Sequence, residues 1–377
     1  MTSLDIALGV DALEARWADG RQATYPYLWL RDNCPSAFHP QTQERIVDLL
    51  AVDPDARPHS AVVTEEFLVI GWAGDGHVSR FPLAWLAAHR PGEALADPAA
   101  IAPRIWRADL AASGIARHAA AEVLGDDQAL QAWMTETLRD GITILEGMAD
   151  EPRAGVEVAQ RVGFLRPTNF GPTFEVVNRP DPNNLAFTAL SLPLHTDLPN
   201  QEVPPGFQFL HCIANEATGG GSLFADGYAI ACDLREEEPE AFRMLSEVAV
   251  PFRFHDRETD IRVHAPVIAL DRRGEPLEIR FNAHIAAVFD MPPDIMPAYY
   301  RAYRAFMDRT RQAGYRVALK LIPGEMVVFD NRRILHGREA FDPASGFRHL
   351  HGCYLDRGDF ASRLRVLAAR KPEPIAA

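Results

Sequence analysis

Short apolar segments bounded by turn residues recur along the chain and constrain its fold more than any other feature. They are "EEFLVIGWAGDGHVSRFP" (65–82), "ITILEGM" (142–148), "FQFLHCIA" (207–214) and "GSLFADGYAIA" (221–231). Short runs rich in β-branched and aromatic residues between turn residues are typical of strands. We therefore predict a mainly β fold with flanking helices (α+β). A strand-rich barrel or jelly roll agrees with this pattern better than repeated βαβ units do.

Four segments have the apolar spacing of helices. They are "DDQALQAWMTETLRDG" (126–141), "PRAGVEVAQRVGFL" (152–165), "AIACDLREEEPEAFRMLSE" (229–247) and "PAYYRAYRAFMDRTRQAG" (297–314). In the first, Asp126 or Asp127 is the predicted N-cap, and Gly141 marks the end. The segment 315–338 is predicted to form two strands joined by "IPGE". Because no glycine-rich phosphate loop opens a helix, a nucleotide-binding function has no support.

The chain is predicted to contain two domains. Residues 22–88 are strand-rich, with "YPYLWLRDNC" (25–34) and "ERIVDLLAV" (44–52) among the predicted strands. The segment 89–105 is rich in proline and alanine without a period, which is typical of a linker. We therefore expect a small β-rich domain over residues 1–95 and a second, larger domain over residues 105–377.

Charge and cysteine content narrow the function classes. The 377 residues carry a formal net charge of −14, which argues against binding to nucleic acid or to an anionic membrane surface. No apolar run reaches membrane-spanning length, and the N-terminus lacks the pattern of a secretory signal. The four cysteines are dispersed and form no CxxC pair. These features favour a cytoplasmic protein without structural disulfides.

A His-x-Asp pair follows an extended segment in "LSLPLHTDLPNQ" (190–201). In a strand, residues two apart point to the same face, so His195 and Asp197 can approach one ion. His336, again just after an apolar strand, can supply a third ligand. Two histidines and one carboxylate form the facial triad of non-haem Fe(II) oxygenases and leave positions for a 2-oxo acid and O2. Chance remains an alternative, because only one of thirteen histidines has an acidic residue at +2.

Arg348 follows His336 by twelve residues, and its guanidinium offers a bidentate fork for the distal carboxylate of a 2-oxo acid. Ser222 can add a hydrogen bond. The alternative for Arg348 is an ordinary surface arginine. Arg338, although it is closer to His336, is expected to form a structural ion pair.

Several motifs together resemble the γ-butyrobetaine hydroxylase family, within the taurine-dioxygenase-like Fe(II)/2-oxoglutarate enzymes. They are "LHTDLPNQEVPPGFQFLHCIANEATGGGSLFADGYAIA", "FDNRRILHGR", "RHLHGCYLD" and, near the N-terminus, "YPYLWLRDNCPS". The resemblance covers nearly the whole chain and includes 2-trimethylaminoethylphosphonate hydroxylases. It implies a double-stranded β-helix (jelly-roll) core, iron on His195, Asp197 and His336, 2-oxoglutarate on Arg348, and a homodimer.

The resemblance also implies a zinc site of three cysteines and one histidine in the N-terminal domain, and here the chain departs from the family. Cys34 is present, but Ser36 stands where a second cysteine is usual. His77 matches the family's histidine, and His39 can act as a substitute ligand. These residues make at most three of the four ligands that a closed zinc site requires. We therefore predict that no structural zinc is bound and that Cys34 is a buried apolar residue.

For the substrate, the resemblance implies a cage of aromatic rings around a trimethylammonium group, whose positive charge their faces attract. The matching positions are Phe170, Phe174, Phe187 and Tyr354. Ordinary core aromatics are the alternative. The anionic end of the substrate is expected near Asn184 and Asn282. Ala283 stands where the family has a second asparagine, so a larger anion such as a phosphonate is a plausible alternative to a carboxylate.

These features predict an enzyme that hydroxylates a C–H bond of a γ-butyrobetaine-like substrate while 2-oxoglutarate is converted to succinate and CO2. The same reaction on 2-trimethylaminoethylphosphonate is the first alternative. Two alternatives belong to other classes, namely a non-catalytic metal-binding β-barrel sensor and a hydrolase that uses metal-bound water.

Overall fold

Residues 4–180 and 185–370 are described in the computed structural model of the protein. The chain divides into two units, Met1–Asp97 and Pro98–Ala377. No described helix is both long and apolar enough to cross a membrane.

The first unit consists of two three-stranded antiparallel sheets, each followed by a short helix. Its elements are β1 (Leu4–Leu8), β2 (Ala12–Trp17), β3 (Gln22–Pro26), α1 (Tyr27–Asp32), β4 (Pro58–Val63), β5 (Phe67–Trp72), β6 (Val78–Pro82) and α2 (Leu83–Ala88). Its core combines leucine and isoleucine side chains with buried aromatic rings, among them Trp17, Tyr25, Trp72 and Phe81.

Two strand predictions in this unit are wrong. The segment 25–34 is mostly helical, because helix α1 buries Tyr27, Leu30 and Arg31 at helical spacing. The segment 44–52 forms only a single turn of 3₁₀ helix at Leu49–Ala51. Ile46, Val47, Leu49 and Leu50 remain exposed and only Val52 is buried, so little burial compensates for ordering the segment in a strand.

The second unit alternates strands with helices. Its elements are α3 (Leu110–Ser113), β7 (Arg117–Ala119), α4 (Ala120–Gly125), α5 (Asp127–Asp140), β8 (Ile142–Glu146), α6 (Pro152–Val162), β9 (Thr173–Val177), β10 (Leu192–His195), β11 (Phe207–Asn215), β12 (Thr218–Gly219), β13 (Ser222–Asp226), α7 (Gly227–Glu237), α8 (Pro239–Glu247), β14 (Val250–His255), β15 (Asp260–Ala265), β16 (Ile268–Leu270), β17 (Pro276–Ile279), α9 (Met296–Arg311), β18 (Val317–Leu319), β19 (Met326–Asp330), β20 (Ile334–Arg338), β21 (Phe341–Asp342), β22 (Arg348–Leu355) and α10 (Arg357–Ala369).

Two sheets form the core of this unit. One has the strand order β7-β8-β19-β11-β22-β9 and the other the order β10-β20-β13-β18. All their neighbouring strands are antiparallel except β7 and β8. Side chains from both sheets share one buried cluster, which includes Leu210, Phe329 and Leu350 from the first and Phe224 and Ile334 from the second. This is the double-stranded β-helix arrangement, with helices outside it.

Helices cover the outer faces as predicted. Trp133 of α5 and Phe360 of α10 pack against Phe209 and other residues of the larger sheet. The N-cap of α5 is Asp126, whose carboxylate accepts the Ala129 N–H at 2.8 Å, and Gly141 ends the helix with φ of 75°.

Two details of the prediction need correction. The segment 229–247 is split into α7 and α8 at Pro239, because proline cannot continue the hydrogen bonding of the preceding turn. The segment 315–338 contains the three strands β18, β19 and β20 rather than two.

A buried ion pair joins the end of β13 to the turn before β20. The Arg333 guanidinium donates to both carboxylate oxygens of Asp226, at 3.1 and 2.7 Å, and both side chains are almost fully buried. Arg333 also donates to the carbonyl oxygens of Arg104 and Arg139. Asp226 in turn accepts the Tyr228 N–H at the start of α7. The pair therefore connects the smaller sheet to helices α5 and α7.

Arg333→Ala is expected to lower the free energy of unfolding by about 3–5 kcal/mol, because it leaves the Asp226 carboxylate buried and unpaired. Urea unfolding followed by circular dichroism measures the change. Arg243→Ala removes an exposed arginine that pairs with Glu240 and Glu247, and it should cost no more than about 1 kcal/mol. Equal losses in the two variants would contradict the role given to the buried pair.

Candidate active site

The three predicted metal ligands converge at the edge of the smaller sheet. His195 ends β10, His336 lies on β20, and the two residues are opposite each other in the antiparallel register. Asp197 follows two residues after His195. Its Oδ1 atom lies 3.2 Å from His195 Nε2 and 3.6 Å from His336 Nε2. Within the described residues, these three form the one group able to hold a metal ion.

The surroundings of the triad suit a bound divalent metal. His195 Nδ1 lies 2.9 Å from the Pro193 carbonyl oxygen, which can only accept, so this contact orients the imidazole with Nε2 towards Asp197. Burial lowers the pKa of His336, with Asp197 opposing the shift. Burial would raise the pKa of Asp197, but His336 and His195 outweigh it and hold that pKa well below its usual range. A neutral imidazole and an ionised carboxylate are the forms that bind metals.

Asn331 fixes the backbone of Asp197. Its side-chain oxygen accepts the Asp197 N–H at 2.7 Å, and its amide group donates to the Asp197 carbonyl oxygen at 3.0 Å. Leu198, the next residue, has a φ of 52°, which is strained for a residue with a branched side chain. Sequence reasoning did not identify Asn331, although it lies in the quoted motif "FDNRRILHGR". The side-chain amide of Asn331 is completely buried, and its hydrogen bonds hold the turn at Asp197 and Leu198 in this strained conformation.

Arg348 begins β22, and its side chain lines the same cavity as the triad. It is 5% exposed, and no carboxylate pairs with it among residues 4–180 and 185–370. Burial, together with the neighbouring Arg338, lowers its pKa to about 10, so it is still cationic at neutral pH. A buried cation without a protein counter-ion is suited to an anionic ligand. Ser222, also buried, lines the cavity.

Contrary to expectation, Arg338 forms no ion pair with any of the described residues. Its guanidinium donates instead to the carbonyl oxygens of Ala186, Thr188 and Leu190, at 3.2, 2.6 and 2.7 Å. Three carbonyl dipoles compensate part of the cost of burying the charge. Arg338 thereby holds the segment that leads into β10 against the cavity.

The predicted aromatic residues line this cavity of about 380 Å³. The rings of Phe174 and Tyr354 stack with a centroid distance of 4.9 Å, and Phe170 contacts Phe254 edge-on at 5.4 Å. The guanidinium of Arg179 lies 4.3 Å from the centroid of the Phe187 ring, so one side of that ring already faces a cation. Phe254 was not identified from the sequence, since only its position in three dimensions brings it here.

Of the two residues predicted to bind the anionic end of the substrate, only one is described in the structure. Asn184 lies outside the described residues. Asn282 lines the cavity, but its side-chain oxygen accepts the His284 N–H at 3.0 Å and its amide donates to the Thr196 carbonyl oxygen at 3.4 Å. His284 and Arg253 also line the cavity. Neither was predicted, because isolated histidines and arginines carry no distinguishing local signal.

The N-terminal residues considered for zinc are only partly brought together. Cys34 is buried, and its Sγ lies 3.1 Å from Ser36 Oγ and 3.5 Å from His77 Nε2. His39 turns its Nδ1 to the backbone N–H groups of Gln41 and Thr42. The absence of a bound zinc ion remains a prediction.

Comparison with known proteins identifies the family. The family described as taurine catabolism dioxygenase TauD, TfdA matches residues 63–354, and the N-terminal domain of γ-butyrobetaine hydroxylase-like proteins matches residues 9–89. The chain is 44% identical to γ-butyrobetaine dioxygenase of Pseudomonas sp. (strain AK-1), over 93% of this chain and 92% of that one. It is 31% identical to the Homo sapiens γ-butyrobetaine dioxygenase, over 96% of each chain. It is also 31% identical to mitochondrial trimethyllysine dioxygenase of Gallus gallus, over 95% of this chain and 86% of that one.

These matches agree with the His-Asp-His group and the jelly-roll core, and they exclude the alternative of a non-catalytic sensor. The cofactors are Fe(II) and 2-oxoglutarate. The chain therefore belongs to the TauD/TfdA family of Fe(II)/2-oxoglutarate-dependent dioxygenases, in the branch that carries a γ-butyrobetaine hydroxylase-like N-terminal domain.

Proposed function

We propose that this dioxygenase hydroxylates a small zwitterion with a trimethylammonium group, of which γ-butyrobetaine is the first candidate. The proposal rests on the presence of aromatic rings and the metal-binding group in one cavity. Phe170, Phe174 and Tyr354 line it together with the His195, Asp197 and His336 group. A quaternary ammonium group cannot donate hydrogen bonds, so aromatic faces are the surfaces that attract it best.

The relatives support this substrate class. The names of those at 44% and 31% identity specify γ-butyrobetaine or trimethyllysine, and both compounds contain a trimethylammonium group. The identity of 44% to a γ-butyrobetaine dioxygenase, against 31% to trimethyllysine dioxygenase, favours γ-butyrobetaine as the substrate.

Different residues are proposed to bind the cosubstrate and to orient the substrate. Fe(II) on His195, Asp197 and His336, with 2-oxoglutarate and O2, supplies the oxidant for C–H hydroxylation and yields succinate and CO2. The Arg348 fork is assigned to the distal carboxylate of 2-oxoglutarate, with the Ser222 hydroxyl as a further donor. The aromatic rings hold the cationic end of the substrate. One methylene of the substrate is thereby kept next to the metal-binding residues His195, Asp197 and His336.

The anionic end of the substrate distinguishes the main proposal from its phosphonate alternative. Asn184 and Asn282 remain the residues proposed to face it. Ala283, where the family has a second asparagine, is exposed and is not among the residues that line the cavity. His284 and Arg253 also line the cavity, although the Arg253 guanidinium already donates to both carboxylate oxygens of Asp260, at 2.7 and 2.9 Å.

A substrate panel tests this proposal. Purified protein with Fe(II), 2-oxoglutarate and O2 is offered γ-butyrobetaine, trimethyllysine or 2-trimethylaminoethylphosphonate, and succinate release is measured. We expect the largest substrate-dependent release with γ-butyrobetaine. A larger kcat/KM for the phosphonate would favour the alternative. Release that none of the three compounds stimulates would refute the substrate class.

Phe174→Ala should raise the KM for the quaternary ammonium substrate by about two- to thirtyfold, the equivalent of about 0.5–2 kcal/mol of cation–π attraction. The KM for 2-oxoglutarate should change little, because a different end of the cavity is proposed to bind it. Steady-state kinetics with each compound varied in turn separates the two effects. Phe164→Ala, which removes an exposed ring, is the matched control. Equal increases in both KM values would count against an aromatic cage.

Arg348→Ala should raise the KM for 2-oxoglutarate by about ten- to hundredfold, because a charged hydrogen bond contributes about 1.5–3 kcal/mol. The expected effect distinguishes a dioxygenase from a hydrolase with metal-bound water, whose activity would not depend on this arginine. Succinate release at varied 2-oxoglutarate measures it. Arg153→Ala removes an exposed arginine on α6 and should leave the KM unchanged. An unchanged KM in Arg348→Ala would refute the assignment.

We also propose a cytoplasmic homodimer with an N-terminal domain over residues 1–95 and a catalytic domain over 105–377. All four cysteines are free, which suits a reducing compartment. The resemblance to the γ-butyrobetaine hydroxylase family supports the dimer. Sedimentation velocity should give twice the mass of the chain, and a monomer at micromolar concentration would refute the dimer.

A further inference from the structure

Tyr354 connects the proposed substrate pocket to the proposed metal ligand. Its hydroxyl lies 2.7 Å from Asp197 Oδ2. The other carboxylate oxygen, Oδ1, is the one that faces His195 Nε2 and His336 Nε2. The two oxygens of Asp197 therefore have separate partners. An ionised carboxylate can only accept hydrogen bonds, so Tyr354 is the donor.

We propose that Tyr354 is a positioning residue that commits Asp197 to presenting a single oxygen to the metal. A carboxylate can bind a metal ion through one oxygen or through both. Since Tyr354 occupies Oδ2, only Oδ1 is directed at the point where the imidazoles meet. Single-oxygen binding leaves open the positions that 2-oxoglutarate and O2 require. This inference rests on the ligand assignment made under the proposed function.

The position of Tyr354 is itself fixed by packing. Tyr354 lies on β22 opposite Gln208 of β11, deep in the larger sheet. Phe174 of β9 stacks on its ring, and Phe174 pairs in register with Gly352. A Cβ atom at residue 352 would lie 2.3 Å from the Phe174 ring, so only glycine lets that ring lie flat across the strand. The phenol is thus held by a ring that also borders the substrate cavity.

The backbone and the side chain of Asp197 are fixed by different residues. Asn331 brackets its peptide groups, while Tyr354 restrains its carboxylate. A rotation about the Cα–Cβ or Cβ–Cγ bond would bring Oδ2 towards the imidazoles, and Asn331 does not oppose such a rotation. Tyr354 is therefore assigned a function that the backbone contacts do not provide. Residues that orient metal ligands typically change metal affinity or activity by about ten- to hundredfold.

Tyr354→Phe tests the inference because it removes the hydroxyl and keeps the ring. The metal-free full-length protein is titrated with Mn(II), and free Mn(II) is measured by electron paramagnetic resonance. We expect the Mn(II) Kd to rise about tenfold or more. Tyr303→Phe is the matched control, since Tyr303 is a buried tyrosine outside this cavity whose hydroxyl has no partner among the described residues, and its Mn(II) Kd should equal that of the unmodified chain.

A second measurement separates positioning from a loss of folding or of substrate binding. In Tyr354→Phe, kcat for succinate release should fall while the KM for the ammonium substrate stays within about threefold, because the aromatic face is retained. An Mn(II) Kd that is unchanged in Tyr354→Phe but strongly raised in His195→Ala would overturn this inference and leave the metal site in place. Since the titration contains no substrate, a wrong substrate class would not affect its outcome.

Discussion

The antiparallel pairing of β10 with β20 is the interaction on which the active site depends. It sets His195 opposite His336, although the two residues are far apart in the sequence. In a sheet, a shift of one residue in register turns every side chain to the other face, so this pairing determines whether the two imidazoles meet at all. Gly337 lets the strands approach closely, because a Cβ there would lie 2.5 Å from the Leu192 carbonyl oxygen.

A polar network behind these strands keeps that register fixed. β20 also pairs with β13, which ends at Asp226, and Asp226 is bound by Arg333 just before β20 begins. Asn331, two residues earlier, holds Asp197. The same short turn therefore anchors the smaller sheet to its helices and places the carboxylate ligand. Fully satisfied buried polar groups of this kind specify one arrangement, because any slip would leave charges unpaired.

The sequence predicted the metal ligands because His195 and Asp197 are two residues apart where a strand ends, and His336 lies in a motif that resembles the family. In the structure β10 ends at His195, so Asp197 is placed by the turn that Asn331 holds rather than by strand periodicity. It predicted helix α5 from its cap and its apolar spacing. The local sequence pattern gave a wrong prediction where either a helix or a strand could bury the same apolar residues. Tyr27–Asp32 is an example, because its aromatic content is typical of a strand but it packs as a helix. It also missed Asn331 and Phe254, since their contacts join segments distant in sequence.

The distribution of charge explains how a chain with a net charge of −14 can bind an anionic cosubstrate. Arg348 and Arg338 are buried near one another, and each has a lowered pKa because burial disfavours its charge. Arg338 is compensated by three carbonyl oxygens, whereas Arg348 faces the cavity. A carboxylate bound to Arg348 pairs with a buried charge that is otherwise uncompensated, and it also accepts hydrogen bonds from the guanidinium. The cavity therefore combines the cationic Arg348, at the start of β22, with the ring of Phe174, which lies opposite Gly352 further along the same sheet. The proposed anionic cosubstrate and the proposed cationic group of the substrate thus have separate positions along that sheet.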